Sequence, residues 1–480
     1  MVLLFCWQLF YQFHTISKKY KGFYINFSTL NISKEFVLNI DSLGYKQMTD
    51  IQAASLPHIL ENKDIIAQAK TGSGKTVSFG IGLVNKLNVK KFRIQSVILC
   101  PTRELANQVA EEIRKLARFI HNVKILTLCG GVAYKPQVAS LFHGAHIIVG
   151  TPGRVLKHLK EQNLSFDDVN TLVLDEADRM LDMGFTEDIN EIIDFMPKTR
   201  QTLLFSATFQ DNIKEMSSNI LNEPIIVSTK HKEEAVKIEQ AFYQIETESK
   251  SSLLPSIFST YKPKSVVIFC NTKIACDNLS DDFYDLGFDV VVLHSDLEQK
   301  DRDETLILFS NKSYPILIAT DVASRGLDID DIDLIINFDI AHEPAIHTHR
   351  IGRSARAGKS GISIGLVNSD DLDKFEDIKL QSKEKFELLH CSTLIYDADY
   401  KLDSDYRAMY INGGKKDKVR AGDILGCLIQ DIGLQKDDIG KINTLLFHSY
   451  VAIKKEVFEK AFDAMQNKKI KGKYFRTFKR

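Results

Sequence analysis

Between residues 33 and 229, short and nearly continuous apolar runs alternate with longer segments whose apolar positions recur every three or four residues. The runs at 64–68, 96–100, 125–128, 145–149, 171–174 and 202–205 predict strands buried on both faces, as in a parallel sheet. The segments at 104–119 and 186–196 have helical spacing, so the stretch reads as an alternating βα unit. A second series starts near Glu239, with strand candidates at 265–269, 289–293, 316–319, 334–338 and 361–367. Residues 230–237, rich in Lys and acid, read as a linker between the two series. After Leu366 the pattern loosens, and 382–404 reads as a second linker. A compact βαβ-type pattern follows, with strands at 406–411, 441–447 and 450–453 and helices at 421–430 and 454–466. The expected fold class is α/β: parallel-sheet domains at 27–229 and 238–381, then a small α+β domain at 405–480. Residues 1–26 precede them as an extension.

Length agrees with this division, since 480 residues at about 150 per domain make roughly three. Hydrophobic residues at 44% and charged residues at 26% exclude a disordered chain, a collagen and a multi-span membrane protein. The net charge of −1 conceals an asymmetry: residues 405–480 hold 17 Lys and Arg against 9 Asp and Glu. A basic end on a mildly acidic body points to a polyanionic partner. None of the seven cysteines forms a CxxC pair, which reads as free thiols in a reducing cytosol. Residues 1–13 are apolar and contain the single Trp7. They lack a basic n-region and a cleavage site and are too short to span a bilayer, so they read as an extension rather than a membrane anchor.

Two motifs carry chemistry by themselves. Ala69-Lys70-Thr71-Gly72-Ser73-Gly74-Lys75-Thr76 lies between a predicted strand and a predicted helix. There, glycines let backbone N–H groups curl around phosphates, and a helix N-terminus adds a favourable dipole. Lys75 would reach the β- and γ-phosphates, and the Thr76 hydroxyl would hold Mg²⁺. Asp175-Glu176-Ala177-Asp178 ends an apolar strand, the edge at which open α/β sheets bind ligands. Asp175 can hold Mg²⁺ and Glu176 can act as general base toward a water. In isolation the acidic cluster also fits a solvated turn; downstream of a phosphate loop it reads as a site.

With both motifs in place the chain resembles the DEAD-box RNA helicases, and further segments match in order. Gly44-Tyr45 and Thr49-Asp50-Ile51-Gln52, with Phe27 upstream, resemble the adenine-reading segment. The resemblance implies that Tyr45 stacks on adenine and that Gln52 pairs with its edge, as amides do. Pro101-Thr102-Arg103-Glu104-Leu105-Ala106, Gly130-Gly131 and Thr151-Pro152-Gly153-Arg154 resemble RNA-backbone contacts, and Ser206-Ala207-Thr208 the coupling motif. Ala319-Thr320-Asp321, Ser324-Arg325-Gly326-Leu327-Asp328 and His349-Arg350-Ile351-Gly352-Arg353 match in the second series. The resemblance implies two tandem RecA-like domains bridged by ATP and Mg²⁺, with Asp328 at the nucleotide. Arg353 and Arg356 would then be arginine fingers. RNA would lie on Arg103, Gly131, Thr151, Arg154 and Thr320, touching phosphate and ribose rather than bases. Asp50 stands where the family has Pro, a departure expected to loosen the adenine-side loop, and Ser354-Ala355 where it has Thr-Gly.

The basic tail interleaves cations with aromatics, which suits RNA, although a solvated charged face has the same composition. Its segments 410–424, 438–442 and 468–473 resemble the C-terminal RNA-binding domain of bacterial DbpA-type helicases. That resemblance implies an RRM-like fold and a tethered anchor for 23S ribosomal RNA in 50S precursors, with Lys415, Lys416, Lys418 and Arg420 as RNA contacts. The implied protein is a cytoplasmic monomer, an RNA-stimulated ATPase that unwinds short duplexes. An ATP-gated RNA clamp with little unwinding is the alternative.

Overall fold

The computed structural model describes residues 26–69, 72–207, 211–228, 238–246, 249–321, 332–354, 361–382 and 386–480. The chain divides into two compact units at residues 231 and 232. The first holds seven strands: β1 (Ile65–Gln68), β2 (Ser96–Leu99), β3 (Ile125–Leu128), β4 (Ile147–Gly150), β5 (Thr171–Asp175), β6 (Gln201–Ser206) and β7 (Ile225–Ser228). They form one parallel sheet in the order β3-β4-β2-β5-β6-β1-β7. Alternate residues feed two separate cores. Ile98, Val149, Val173 and Phe205 pack on one face, while Val97, Leu99, Ile148 and Leu174 pack on the other. With helices against both faces no strand position needs to be polar, hence the unbroken apolar runs.

The helix Lys75–Lys86 lies in the middle of the first core, and two glycines let its neighbours approach. A Cβ on Gly80 would meet Leu116 Cδ1 at 2.6 Å, and one on Gly82 would collide with the branched methyl of Ile59. The strand Ile225–Ser228 has no counterpart in the sequence reading. Its burial is incomplete, as befits an edge beside β1.

The second unit repeats the plan. Its strands are β8 (Ile238–Gln244), β9 (Val266–Cys270), β10 (Val290–Leu293), β11 (Ile316–Thr320), β12 (Leu334–Asn337), β13 (Gly361–Val367) and β14 (Leu388–His390). They run parallel in the order β10-β11-β9-β12-β13-β8-β14, the order of the first sheet shifted by seven. Even the local chemistry recurs: Thr102 after β2 and Thr272 after β9 each cap the following helix, accepting from Leu105 N and Ala275 N.

The stretch 382–404 differs from a plain linker. Its residues 388–390 pair with β8, Cys391 donates to Gln244 O, and Leu402 enters the core. The isolated pattern is too short to announce a strand that exists only against β8.

Residues 406–479 form four antiparallel strands: β15 (Tyr406–Ile411), β16 (Ile439–Thr444), β17 (Ser449–Lys454) and β18 (Thr477–Lys479), in the order β16-β17-β15-β18. This is an α+β arrangement rather than βαβ. Met409, Ile411, Val451 and Ile453 face a core shared with Phe458 of the helix Lys455–Met465. The opposite face is covered too. Ala408 and Tyr450 pack on Ile307 and Leu308 of the helix Gln299–Ser310, and Arg480 Nε pairs with Glu304 Oε1 at 2.5 Å. The small domain is therefore seated on the second unit, not merely tethered to it.

No helix among the described residues is long and apolar enough to cross a membrane, and the apolar residues 1–13 lie outside them. The cysteines among the described residues are free and buried; Cys6 lies outside.

Candidate active site and nucleic-acid interface

Strand order in the first sheet sorts the motifs into two groups. β1, β6 and β5 are neighbours, so their C-terminal ends bring together the phosphate loop, Ser206 and Asp175. β2, β4 and β3 are likewise neighbours, and their ends carry Arg103, Thr151 and Gly131. Both groups lie on the one edge where parallel sheets bind ligands.

On the first half of the edge, Gly72 and Gly74 take φ of +80° and +95°, the left-handed turn the phosphate loop requires. Ala69 N donates to Ser206 O, tying the loop to β6. Lys75 is buried, yet its Nζ has no hydrogen-bond partner among the described residues, and Asp175 Oδ1 is likewise buried without one there. Burial lifts the Asp175 carboxyl to about 6 against the pull of Lys75, with Glu176 and Asp178 adding to the rise. A buried ammonium and a buried carboxylate left unsatisfied are costly, and a phosphate with its divalent cation would satisfy both. The donor set therefore fits Mg²⁺ and a nucleotide phosphate, with Thr76 on the neighbouring turn.

Glu176 sits at φ 56°, ψ 52°, a left-handed conformation unusual for a non-glycine residue. Its Oε2 accepts from Arg179 Nη1 at 2.7 Å, and both side chains are buried. Asp178 Oδ2 accepts from Ala207 N, linking the acidic turn to the coupling segment. Lys70, Thr71 and Thr208 lie outside the described residues.

The Gln52 amide also ties the site together. Its Oε1 accepts from Thr49 N at 2.9 Å and its Nε2 donates to Gly74 O at 3.2 Å. Thr49 Oγ1 also donates to Ser73 O. Together they hold the phosphate loop, and the amide keeps one further N–H and one further oxygen lone pair for a ligand. Tyr45 donates its hydroxyl to Glu112, and burial followed by Glu112 raises its pKa well above the ordinary range. Phe27 is fully buried in the core. Asp50 is the first residue of the helix Asp50–Leu60, where an acid is favoured by the dipole and a proline is equally at home. The replacement keeps the helix start instead of loosening it.

On the other half of the edge, the Arg103 guanidinium lies where a Cβ on Gly131 would stand, and Gly131 has φ +67°. Arg103 Nε and Nη1 are buried with no hydrogen-bond partner among the described residues. Thr151 Oγ1 accepts from Gly130 N, and Arg154 Nη1 donates to Val132 O at 3.0 Å.

In the second unit Thr320 ends β11 and Asp321 follows it. Arg350 is almost wholly buried and binds Asp321 through Nε and Nη2 at 2.6 and 2.7 Å. It also reaches Asn271 Oδ1, Asn337 Oδ1 and the carbonyl of Asp339, so it joins the ends of β9, β11 and β12. Arg353 N donates to Arg350 O, which sets Arg353 one turn beyond this hub. Ser354 is buried, and its hydroxyl donates to Ile332 O at 2.8 Å. Asp328, Ala355, Arg356 and residues 324–327 lie outside the described residues.

Residues 49–216 match the DEAD/DEAH box helicase family, residues 249–358 the helicase conserved C-terminal domain, and residues 408–477 the DbpA RNA binding domain. The ATP-dependent RNA helicase DbpA of Escherichia coli (strain K12) is 47% identical over 454 residues, covering 94% of this chain and 98% of its own length. The chain belongs to the DEAD-box RNA helicases of the DbpA type. The Bacillus subtilis (strain 168) DbpA helicase is 36% identical and covers 95% of this chain and 99% of itself. Among solved structures, S. cerevisiae Dbp5 bound to RNA and ADP BeF3 aligns with a TM-score of 0.69 at 27% identity, over 76% of this chain and 96% of Dbp5. Mss116p bound to ssRNA and AMP-PNP aligns at 0.67 and 26%, over 78% and 80%. As a DEAD-box helicase, the protein is an ATP-hydrolysing enzyme that acts on RNA.

In this DbpA-type helicase the C-terminal cations gather around one loop. Lys415 and Lys416 form a short turn whose backbone N–H groups donate to Leu445 O and Leu446 O. Lys416 Nζ stands 4.4 Å from the centre of the half-exposed Phe447 ring. Lys418 follows at φ 64°, and Arg420 precedes the helix Ala421–Gly426. Sequence reasoning passed over Phe447, Arg179, Gln137 and His158, and quoted Arg350 only as part of its motif. Arg179, Gln137 and His158 are polar residues in segments that otherwise look like core, and that mismatch was the signal available.

Proposed function

We propose that the protein uses ATP binding and hydrolysis to separate short RNA duplexes, and that its C-terminal domain directs it to 23S ribosomal RNA during assembly of the 50S subunit. One observation carries the core of this reading: a single sheet edge bears the unsatisfied Lys75 and Asp175 on the ends of β1 and β5, and the unsatisfied Arg103 on the end of β2. The rRNA target is supported by the DbpA RNA binding domain and by the cations 415–420.

Backbone N–H groups of residues 72–76 and Lys75 hold the phosphates. Thr76 and Asp175 would hold Mg²⁺, which would supply charge neutralisation during phosphoryl transfer. Glu176 takes the proton of the attacking water, and Arg179 fixes the direction of its carboxylate. Arg353 and Arg356 of the second unit neutralise the charge that develops in transfer. Tyr45 stacks on adenine, and Gln52 reads it with the N–H and oxygen lone pair that Gly74 O and Thr49 N leave free. Asp328 contacts the nucleotide. Thr208, with Ser206, couples this chemistry to RNA. Arg103, Gly131, Thr151, Arg154 and Thr320 grip ribose and phosphate, which fixes the strand without reading sequence. Preference for RNA follows from the 2′-hydroxyl. The enzyme acts as a monomer in the cytoplasm, where its buried free thiols remain reduced.

Glu176→Gln tests the scheme. It is expected to abolish ATP turnover while ATP-dependent RNA binding persists. Turnover at the wild-type rate would refute the assignment. Multiple-turnover unwinding of a short duplex by the wild type separates a helicase from an ATP-gated clamp, which would retain RNA without releasing strands.

A further inference from the structure

The RNA half of the first edge contains a buried polar residue that no motif includes. Gln137 lies on the helix Tyr134–Phe142 and is 8% exposed. Its Nε2 donates to Cys129 O at 3.1 Å. Its Oε1 accepts twice, from Arg154 Nη1 at 3.0 Å and from His158 Nε2 at 3.0 Å.

These contacts determine each other. A carbonyl such as Cys129 O accepts only, so the amide nitrogen must face it and the amide oxygen must face Arg154. That oxygen cannot donate, so the hydrogen of the His158 ring sits on Nε2. The bare Nδ1 is then an acceptor, buried without a donor among the described residues. Burial, with Arg154 next, pushes His158 down to about 4, so the ring is neutral at physiological pH. Tyr134 stacks on the same ring at 4.4 Å between centres, and its own ring lies 5.5 Å from the Arg154 guanidinium carbon. Both hydrogen bonds of Arg154 leave from Nη1, and its Nε and Nη2 carry none to described residues.

We propose that Gln137 is a positioning residue for RNA binding, holding Arg154 so that its remaining N–H groups face a backbone phosphate and pinning the carbonyl that leads into Gly130-Gly131. The inference rests on the RNA role given to Arg154 above and extends it. One neutral amide thereby joins two of the three RNA segments of this unit, and Arg103 on Gly131 joins the third. A neutral partner matters here. A carboxylate in its place would consume the charge of Arg154, whereas an amide oxygen orients the guanidinium and leaves that charge for the phosphate.

The test uses the full chain and a fluorescent single-stranded oligoribonucleotide, with and without a non-hydrolysable ATP analogue, over a series of salt concentrations. Gln137→Met, Arg154→Ala and their combination are compared. Gln137→Met is expected to weaken the analogue-dependent binding roughly five- to tenfold, the size of one ordinary lost hydrogen bond. It should also lower the slope of log affinity against log salt by about 0.7, one phosphate contact on a single strand. The double variant should bind within about twofold of Arg154→Ala alone, since residues acting through one another are not additive. Wild-type affinity for Gln137→Met, an unchanged salt slope, or multiplied losses in the double variant would overturn the positioning role. If Arg154→Ala itself binds as wild type, the RNA role of Arg154 falls first and takes the inference with it. Gln137→Asn, polar but too short to reach, is the second variant. If neither folds, Gln137 is a structural residue and the proposal is wrong.

Discussion

Single side chains in this protein hold motifs in place as often as they perform chemistry. Ser354 is an example. It stands where the family has Thr, and its buried hydroxyl is bonded to Ile332 O, so the replacement keeps the functional group and drops a methyl. Ser354→Ala should cost about 1–2 kcal/mol in urea unfolding, because Ile332 O is then left buried without a partner, whereas Ser354→Thr should be nearly neutral. His347 works through its neutrality. Its Nε2 contacts Gln240 Oε1 at 2.9 Å, and burial, followed by Arg350, pushes it from 6.5 to about 4. The unfolded chain accepts a proton there near 6.5 and the folded protein resists until about 4. Stability from this group is thus complete above 6.5 and is lost as the pH falls toward 4, on the order of 3 kcal/mol in total. His347→Gln should flatten the dependence of unfolding free energy on pH in that window. An unaltered curve would contradict the assignment.

At the scale of elements, the phosphate-loop helix is fitted rather than merely packed. Gly82→Ala places a methyl against Ile59, and overpacking of this kind costs about 1–3 kcal/mol, more than the helix propensity that alanine adds. The reverse is expected at Gly426, which has helical dihedrals and open space around its missing Cβ, so Gly426→Ala should raise the melting temperature. Thermal melts of the two variants should move in opposite directions. Strands with two buried faces, such as β2 and β5, were legible in the sequence because the successive buried positions 97–99 and 172–174 are all apolar. The strands β7, β14 and β18 were not, because three or four residues at a sheet edge carry no period of their own.

For the whole molecule, charge and docking work together. The basic C-terminal domain rests on the helix Gln299–Ser310 through Ala408 and Tyr450, and this contact covers Ile307 and Leu308. Ending the chain at residue 404 therefore removes the RNA-seeking part and uncovers apolar surface. The truncated protein should crosslink to RNA in cells without the preference for large-subunit rRNA proposed for the full chain, and it should aggregate more readily on heating. Equal crosslinking maps for the two forms would argue against targeting by this domain.

The chain's own pattern determined which residues could be phosphate ligands, acids and arginines, and that two parallel sheets would carry them. Glycine spacing, apolar runs and strand-end carboxylates are local consequences of backbone sterics and burial, so they are written in order along the chain. What tertiary structure decided was adjacency. Sheet order alone placed β5 and β6 beside β1 and β4 beside β3. Folding likewise brought Gln52 onto Gly74 and Gln137 onto Arg154. Those pairings join residues from separate segments, and no linear period encodes a contact that exists only once two helices and a strand end have met.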